Sequence, residues 1–149
     1  MLHYQLIANL LGVNQIKLSI QSKKNEVINF LEKLNAILCD NDFNADTDII
    51  LIRKKKKKEE EPFSTPYTLL DLDYDVSDVI NRLKELTLEE YAETLIDKDD
   101  LNPPLLFVFG KEIKEKQIYV KVKVKGNRRK HVLCVSFHYA KEKMSFPYA

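Results

Sequence analysis

An α+β domain is the fold this sequence predicts, and three observations carry the prediction. Between Lys23 and Cys39, the residues Val27, Phe30, Leu31, Leu34, Ile37 and Leu38 recur at helical spacing. Further on, Val79, Ile80, Leu83 and Leu86 mark a second helical stripe. The C-terminal third holds three short alternating runs, LLFVFGKEI, QIYVKVKV and HVLCVSFHYA, separated by polar turns. The economical arrangement is a C-terminal three-stranded antiparallel meander, joined by an earlier strand and packed against helices.

Taken in order, Met1 to Ser22 form an extra N-terminal segment, in which Leu2–Leu11 suits a short helix stopped at Gly12 and Gln15–Gln21 alternates like a strand. After the Lys23–Cys39 helix, DNDFNADTD is rich in turn residues, and DIILIR reads as a strand. RKKKKKEEEPFSTP follows, and residues 54–66 are expected to be a charged, mobile loop, of which Lys54–Glu61 is not needed for folding; its other reading is a basic patch for nucleic acid or targeting. Asp75 or Ser77 caps the next helix. Thr87 and Glu90 form a capping box that predicts one more short helix, through Leu95. Asp97–Pro104 is polar, ends in Pro-Pro, and hands the chain to the first strand of the meander.

With 149 residues, the chain suits a single domain spanning 1–149. It has no run of about 18 apolar residues, and its N-terminus lacks a basic start and a small-residue cleavage site. A cytoplasmic protein away from membranes is expected. Cys39 and Cys134 read as buried thiols rather than a disulfide or metal pair. His131 and His138 are expected on opposite faces of their strand, which argues against a shared metal ion, and the three glycines form no phosphate-cradling loop. Asp71, Asp73, Asp75 and Asp78 lack the glycine and terminal glutamate of a calcium loop and read as caps and turns. No metal or cofactor is predicted.

The net charge of +1 hides a segregation. Met1–Lys58 carries ten Lys/Arg against six Asp/Glu, Glu59–Asp100 three against fourteen, and Leu101–Ala149 eleven against three. A basic C-terminal region suits an anionic partner such as nucleic acid.

Strand parity suggests where that partner would sit. Ile118, Val120, Val122 and Val124 make one face of the middle strand apolar, and Leu133, Val135 and Phe137 are the uniformly apolar set of the last. Matching these sets in one core brings Tyr119, Lys121 and Lys123 beside Cys134, Ser136 and His138, with Tyr119 opposite Ser136 or His138. On the first strand, Phe107/Phe109 and Leu106/Val108 compete for the core. A phenol, amines, a hydroxyl and an imidazole on one face could cleave RNA: one group takes the 2′-OH proton, another protonates the leaving 5′-oxygen, and cations hold the phosphate. Many open sheet faces with such residues do no chemistry.

The run FGKEI, QIYVKVKV, VLCVSFHYA and MSFPY resembles the MqsR-like toxins of bacterial toxin–antitoxin modules, within the RelE/ParE fold group, over roughly the last 85 residues. Tyr67–Tyr91 is similar to the helical stretch of the same group. The resemblance implies a RelE-like sheet and a metal-independent endoribonuclease acting on mRNA, free or ribosome-bound, with an antitoxin as protein partner. Tyr119 matches the family's strand tyrosine and Lys121 the lysine two residues on, while His138 stands where the final strand carries a lysine. The expected site is Tyr119, Lys121 and His138 as catalytic groups, with Lys111, Lys123, Lys125, Arg128, Ser136 and Tyr148 as RNA contacts. The other reading is a non-catalytic protein of this fold that binds a protein target, such as a gyrase-directed toxin or an interaction module.

Overall fold

The computed structural model describes residues 19–96 and 105–149; the expected Leu2–Leu11 helix and the Asp97–Pro104 breaker lie outside them. Strand β1 (Ser19–Ile20) leads into helix α1 (Lys24–Leu38) and strand β2 (Ile49–Leu51). Helices α2 (Thr65–Leu72) and α3 (Val76–Lys84) follow, then strands β3 (Tyr91–Leu95), β4 (Leu106–Ile113), β5 (Lys116–Lys125) and β6 (His131–Tyr139). The strands form one six-stranded mixed sheet in the order β1-β3-β4-β5-β6-β2. Within it, β2 runs parallel to β6, and the other neighbours are antiparallel. The unit β1–α1–β2 therefore reaches both outer edges of the sheet, with the meander between them.

Each helix forms where its sequence supplies a cap and an apolar stripe. In α1, the Glu26 carboxylate accepts from Lys23 N at 2.8 Å, and Val27, Phe30, Leu31, Leu34 and Leu38 are buried. Phe30 stacks on Phe107 of β4 with ring centroids 4.2 Å apart, which lays α1 across the sheet. Asp75 caps α3 through a reciprocal pair with Asp78, at 3.1 and 2.9 Å. Ser64 caps α2 by accepting from Tyr67 N. Asp71 accepts from Tyr139 Oη at 2.6 Å, so three of the clustered aspartates have structural partners.

Two elements differ from expectation. Thr87 and Glu90 do form the capping box, yet only a 3₁₀ turn (Leu88–Glu90) follows it, and Tyr91–Leu95 is a strand. Placement between β1 and β4 overrides the local helix signal, because the strand buries Tyr91 and Leu95 and completes both ladders. Within the charged loop, Lys58–Phe63 form a 3₁₀ turn. Cys39, expected inside, is exposed just past the end of α1, whereas Cys134 is buried.

The sheet is covered on both faces. All three helices pack on one side, against Phe109, Ile118, Val120, Val122, Val132, Cys134 and Phe137. A smaller cluster on the other side gathers Leu95, Leu106 and Val108 with Ala92, Tyr119, Val135 and Met144. This settles the competition on β4: Phe107 and Phe109 face the helices, while Leu106 and Val108 fill the second cluster. Both apolar sets are used.

Beyond its short pairing with β2, the edge of β6 is covered by a helix. Thr65 Oγ1 accepts from Phe137 N at 3.1 Å and Thr68 Oγ1 from Tyr139 N at 3.0 Å, so α2 satisfies strand donors that would otherwise be bare. At the other end, buried Asp48 accepts a two-pronged bond from Arg129, Nε at 2.8 Å and Nη2 at 2.7 Å, and a backbone bond from Asn44 N. These bonds, led by Arg129, hold the Asp48 carboxyl far below the usual carboxylate range.

Both threonines are buried, so Thr65→Val and Thr68→Val strand a β6 N–H and are each expected to lower unfolding stability by about 1–3 kcal/mol, read by urea denaturation. A loss under 0.5 kcal/mol for both would contradict the edge-covering role. Because the Asp48 pKa is depressed by folding, its stabilisation is complete above the unfolded value near 4 and is lost as pH falls below it. The stability difference between wild type and Asp48→Asn should therefore shrink between pH 5 and pH 2; a constant difference would refute the assignment.

Candidate active site

Sheet register builds the site. Tyr119 lies directly opposite His138 and Lys121 opposite Ser136, so the four share one face, as their spacing predicted. Val135 sits elsewhere than expected. The β5–β6 ladder skips a residue between Lys121↔Ser136 and Val122↔Cys134, leaving Val135 as a bulge. Parity reverses there. Cys134 and Val132 face the helices along with Phe137, while Leu133, opposite Lys123, and Val135, packed in the second cluster, belong to the other side. The bulge also brings His131 onto the same face as His138, roughly 20 Å away along the strand.

The Tyr119 and His138 rings stack, with centroids 5.2 Å apart and planes inclined by 14°. Lys121 Nζ lies 6.0 Å from the centre of the Tyr119 ring. A cleft of about 460 Å³ opens over the pair, lined also by Ser19, Glu93, Lys141 and Lys143. The C-terminal tail forms part of its wall, through Met144 and Ser145. Gly110, opposite Tyr119, admits this path: a Cβ there would come within 2.6 Å of the Phe146 ring.

Electrostatics assign the protons. His138 Nδ1 lies 2.9 Å from Tyr139 O. A carbonyl only accepts, so Nδ1 carries the hydrogen and Nε2 keeps its lone pair. Burial pushes the His138 pKa down to about 4, helped by the charges of Lys56 and Lys121, so the imidazole is neutral at pH 7. Burial, with Glu93 adding to it, pushes Tyr119 up to about 12 and keeps the phenol protonated. The face thus offers an uncharged base next to a proton donor and a cation.

The other expected contacts fall elsewhere. Lys123 shares the face but is fully enclosed by the protein, a burial that strand alternation cannot reveal. Lys111 stands on the helix side, ion-paired with Glu90 at 3.2 Å. Tyr148 stacks on Tyr91 at 5.8 Å and donates to Ser22 O, closing the tail onto the helix-side core. Lys125 borders a separate groove with Lys33 and Lys130, and Arg128 is exposed in the β5–β6 turn. Ser136 is buried beside Lys121. Sequence reasoning missed Glu93, Lys141 and Lys143. Reading YAETL as a strand would have exposed Glu93, which pairs with Val108 on the Tyr119 face.

Among the described residues, no group of three or more His, Cys, Asp or Glu side chains is placed to hold a metal ion, and no helix is long and apolar enough to cross a membrane. Comparisons with family models, curated proteins and solved structures found no match.

Since folding lowers the His138 pKa, the folded state takes up that proton less readily, and His138 lowers stability as pH falls from about 6.5 toward 4. The His138 ring resonances in NMR spectra should stay at their neutral positions down to pH 5 and move only near pH 4. A midpoint at 6 or above would overturn the buried, neutral imidazole.

Proposed function

We propose that the Tyr119–His138 cleft cleaves single-stranded RNA without a metal ion, as the toxin of a toxin–antitoxin module restrained by a cognate antitoxin. The observation that carries this reading is the cross-strand pair itself: a neutral imidazole stacked on a protonated phenol, with Lys121 on the same face and a cleft above. The resemblance of the C-terminal strands to MqsR-like toxins points the same way.

The chemistry balances with groups on the page. His138 Nε2 takes the proton of the RNA 2′-OH, and the 2′-oxygen attacks the adjacent phosphorus. Lys121 stabilises the charge that builds on the phosphate oxygens. As the P–O5′ bond breaks, the Tyr119 hydroxyl gives its proton to the leaving 5′-oxygen, yielding a 2′,3′-cyclic phosphate and a 5′-hydroxyl. Water then carries a proton from His138 back to Tyr119.

The reading is tested with purified protein and single-stranded RNA in the presence of a chelator. His138→Ala should lower kcat/KM by about 10²–10⁴-fold, and Tyr119→Phe, which removes only the donor, should cause a loss of comparable kind. Free-enzyme groups govern the pH profile of kcat/KM. It should fall below about pH 4, where His138 protonates, and stay flat through neutrality, since Tyr119 ionises only near 12. Unchanged cleavage in both folded variants would remove the pair from the chemistry, and no cleavage by wild type would leave a non-catalytic protein that binds a protein target as the reading.

A further inference from the structure

We propose that the lysine run Lys54–Lys58 stands beside the Tyr119–His138 cleft, beyond its lining residues, as an outer wall that grips the phosphate backbone of single-stranded RNA. This rests on the reading of that cleft as an RNA site and extends it to a segment that takes no part in the chemistry.

The first support is where the run is anchored. Ile52 N donates to Cys134 O at 2.9 Å, and Thr65 Oγ1 accepts from Phe137 N at 3.1 Å. The chain therefore leaves the edge of β6 at Cys134 and returns to it at Phe137. Those two anchors bracket Val135 and Ser136, and the second adjoins His138, so the loop between them lies beside the catalytic end of the face.

A second support is how the loop is folded back. Lys56 Nζ donates to Phe63 O at 2.7 Å, closing the run onto its own 3₁₀ turn. Glu60 Oε1 then pairs with Lys141 Nζ at 2.5 Å, and Lys141 lines the cleft. The loop is thus joined to the cleft wall by an ion pair. The charge of Lys56 is felt at the His138 ring, which agrees with this placement.

The third support is unbalanced charge. Lys54, Lys55, Lys57 and Lys58 are all exposed, and among the described residues none is ion-paired with a carboxylate. Consecutive like charges repel, and an anionic chain laid along them relieves that repulsion while releasing its counterions. Lysines reach phosphates but read no base edges, so the wall would hold RNA of any sequence.

The experiment uses the full chain and a fully 2′-O-methylated single-stranded RNA, which binds but lacks the attacking hydroxyl. Binding is measured against salt for wild type, His138→Ala and a variant carrying Lys54→Gln, Lys55→Gln, Lys57→Gln and Lys58→Gln, which spares Lys56 and Glu60. The slope of log affinity against log salt should fall by roughly 0.7 for each phosphate contact the lysine variant loses, and binding should weaken alike for all sequences. His138→Ala should keep the wild-type slope. If the fourfold variant fails to fold, the four single variants serve, each with a smaller drop.

Equal slopes for wild type and the lysine variant would overturn the wall, even with cleavage of unmodified RNA intact. So would displacement of the RNA by polyglutamate at matched charge, which would mark the run as a dock for an acidic protein. A lysine-dependent slope in a protein that cleaves nothing would uphold the wall and remove the ribonuclease reading. No RNA binding by wild type would end both.

Discussion

One extra residue in β6 decides which groups meet. An uninterrupted ladder would send Val132 and Cys134 to one side of the sheet and Phe137 and Tyr139 to the other, splitting an apolar set that the helices need whole. The bulge at Val135 shifts the phase, so all four join the helix-side core, while Ser136 and His138 come to lie across from Lys121 and Tyr119. The cross-strand pair at the candidate site depends on that slip. Its bulged residue is not idle, since Val135 packs against the second cluster that forms the floor of the same face.

Burial on both sides then shapes the chemistry. With Leu106, Val108 and Met144 around it, Tyr119 sits in a partly apolar setting, and both members of the pair are held in their uncharged forms. An exposed sheet face would leave a histidine titrating near 6.5 and a phenol near 10. Here the base stays available across a wide pH range at the expense of basicity. Lys121, on the same face beside the Tyr119 ring, carries the positive charge that the neutral imidazole does not.

Much of this was legible in the amino-acid order, for reasons particular to each element. Helices α1 and α3 carry apolar stripes and acidic caps, signals that work within one turn of chain. The meander, and a Tyr119 facing Ser136 or His138, followed from alternation across a short hairpin. Strand β3 did not, because a capping box precedes a five-residue run whose strand character comes from its neighbours β1 and β4. The bulge left a trace: the helix-side core residues of β6 fall at 132, 134, 137 and 139, a spacing that breaks phase once. Reading a single phase hid it. Lys123 was beyond reach, since alternation tells which face a side chain takes but not what covers that face.

The way β1–α1–β2 embraces the meander also bears on how the chain folds. Strands β4, β5 and β6 are joined by tight turns and pair with sequence neighbours, so their ladders close small loops. The outer ladders, Ser19 with Leu95 and Ile49 with Val132, join points far apart along the chain and carry a larger closure entropy. Helix α1, stacked on β4 through Phe30, is the segment that links the two ladders. Topology of this kind raises contact order and slows folding relative to a helical bundle of equal length, and until the outer ladders close, both rims of the nascent sheet stay open to pairing with another chain.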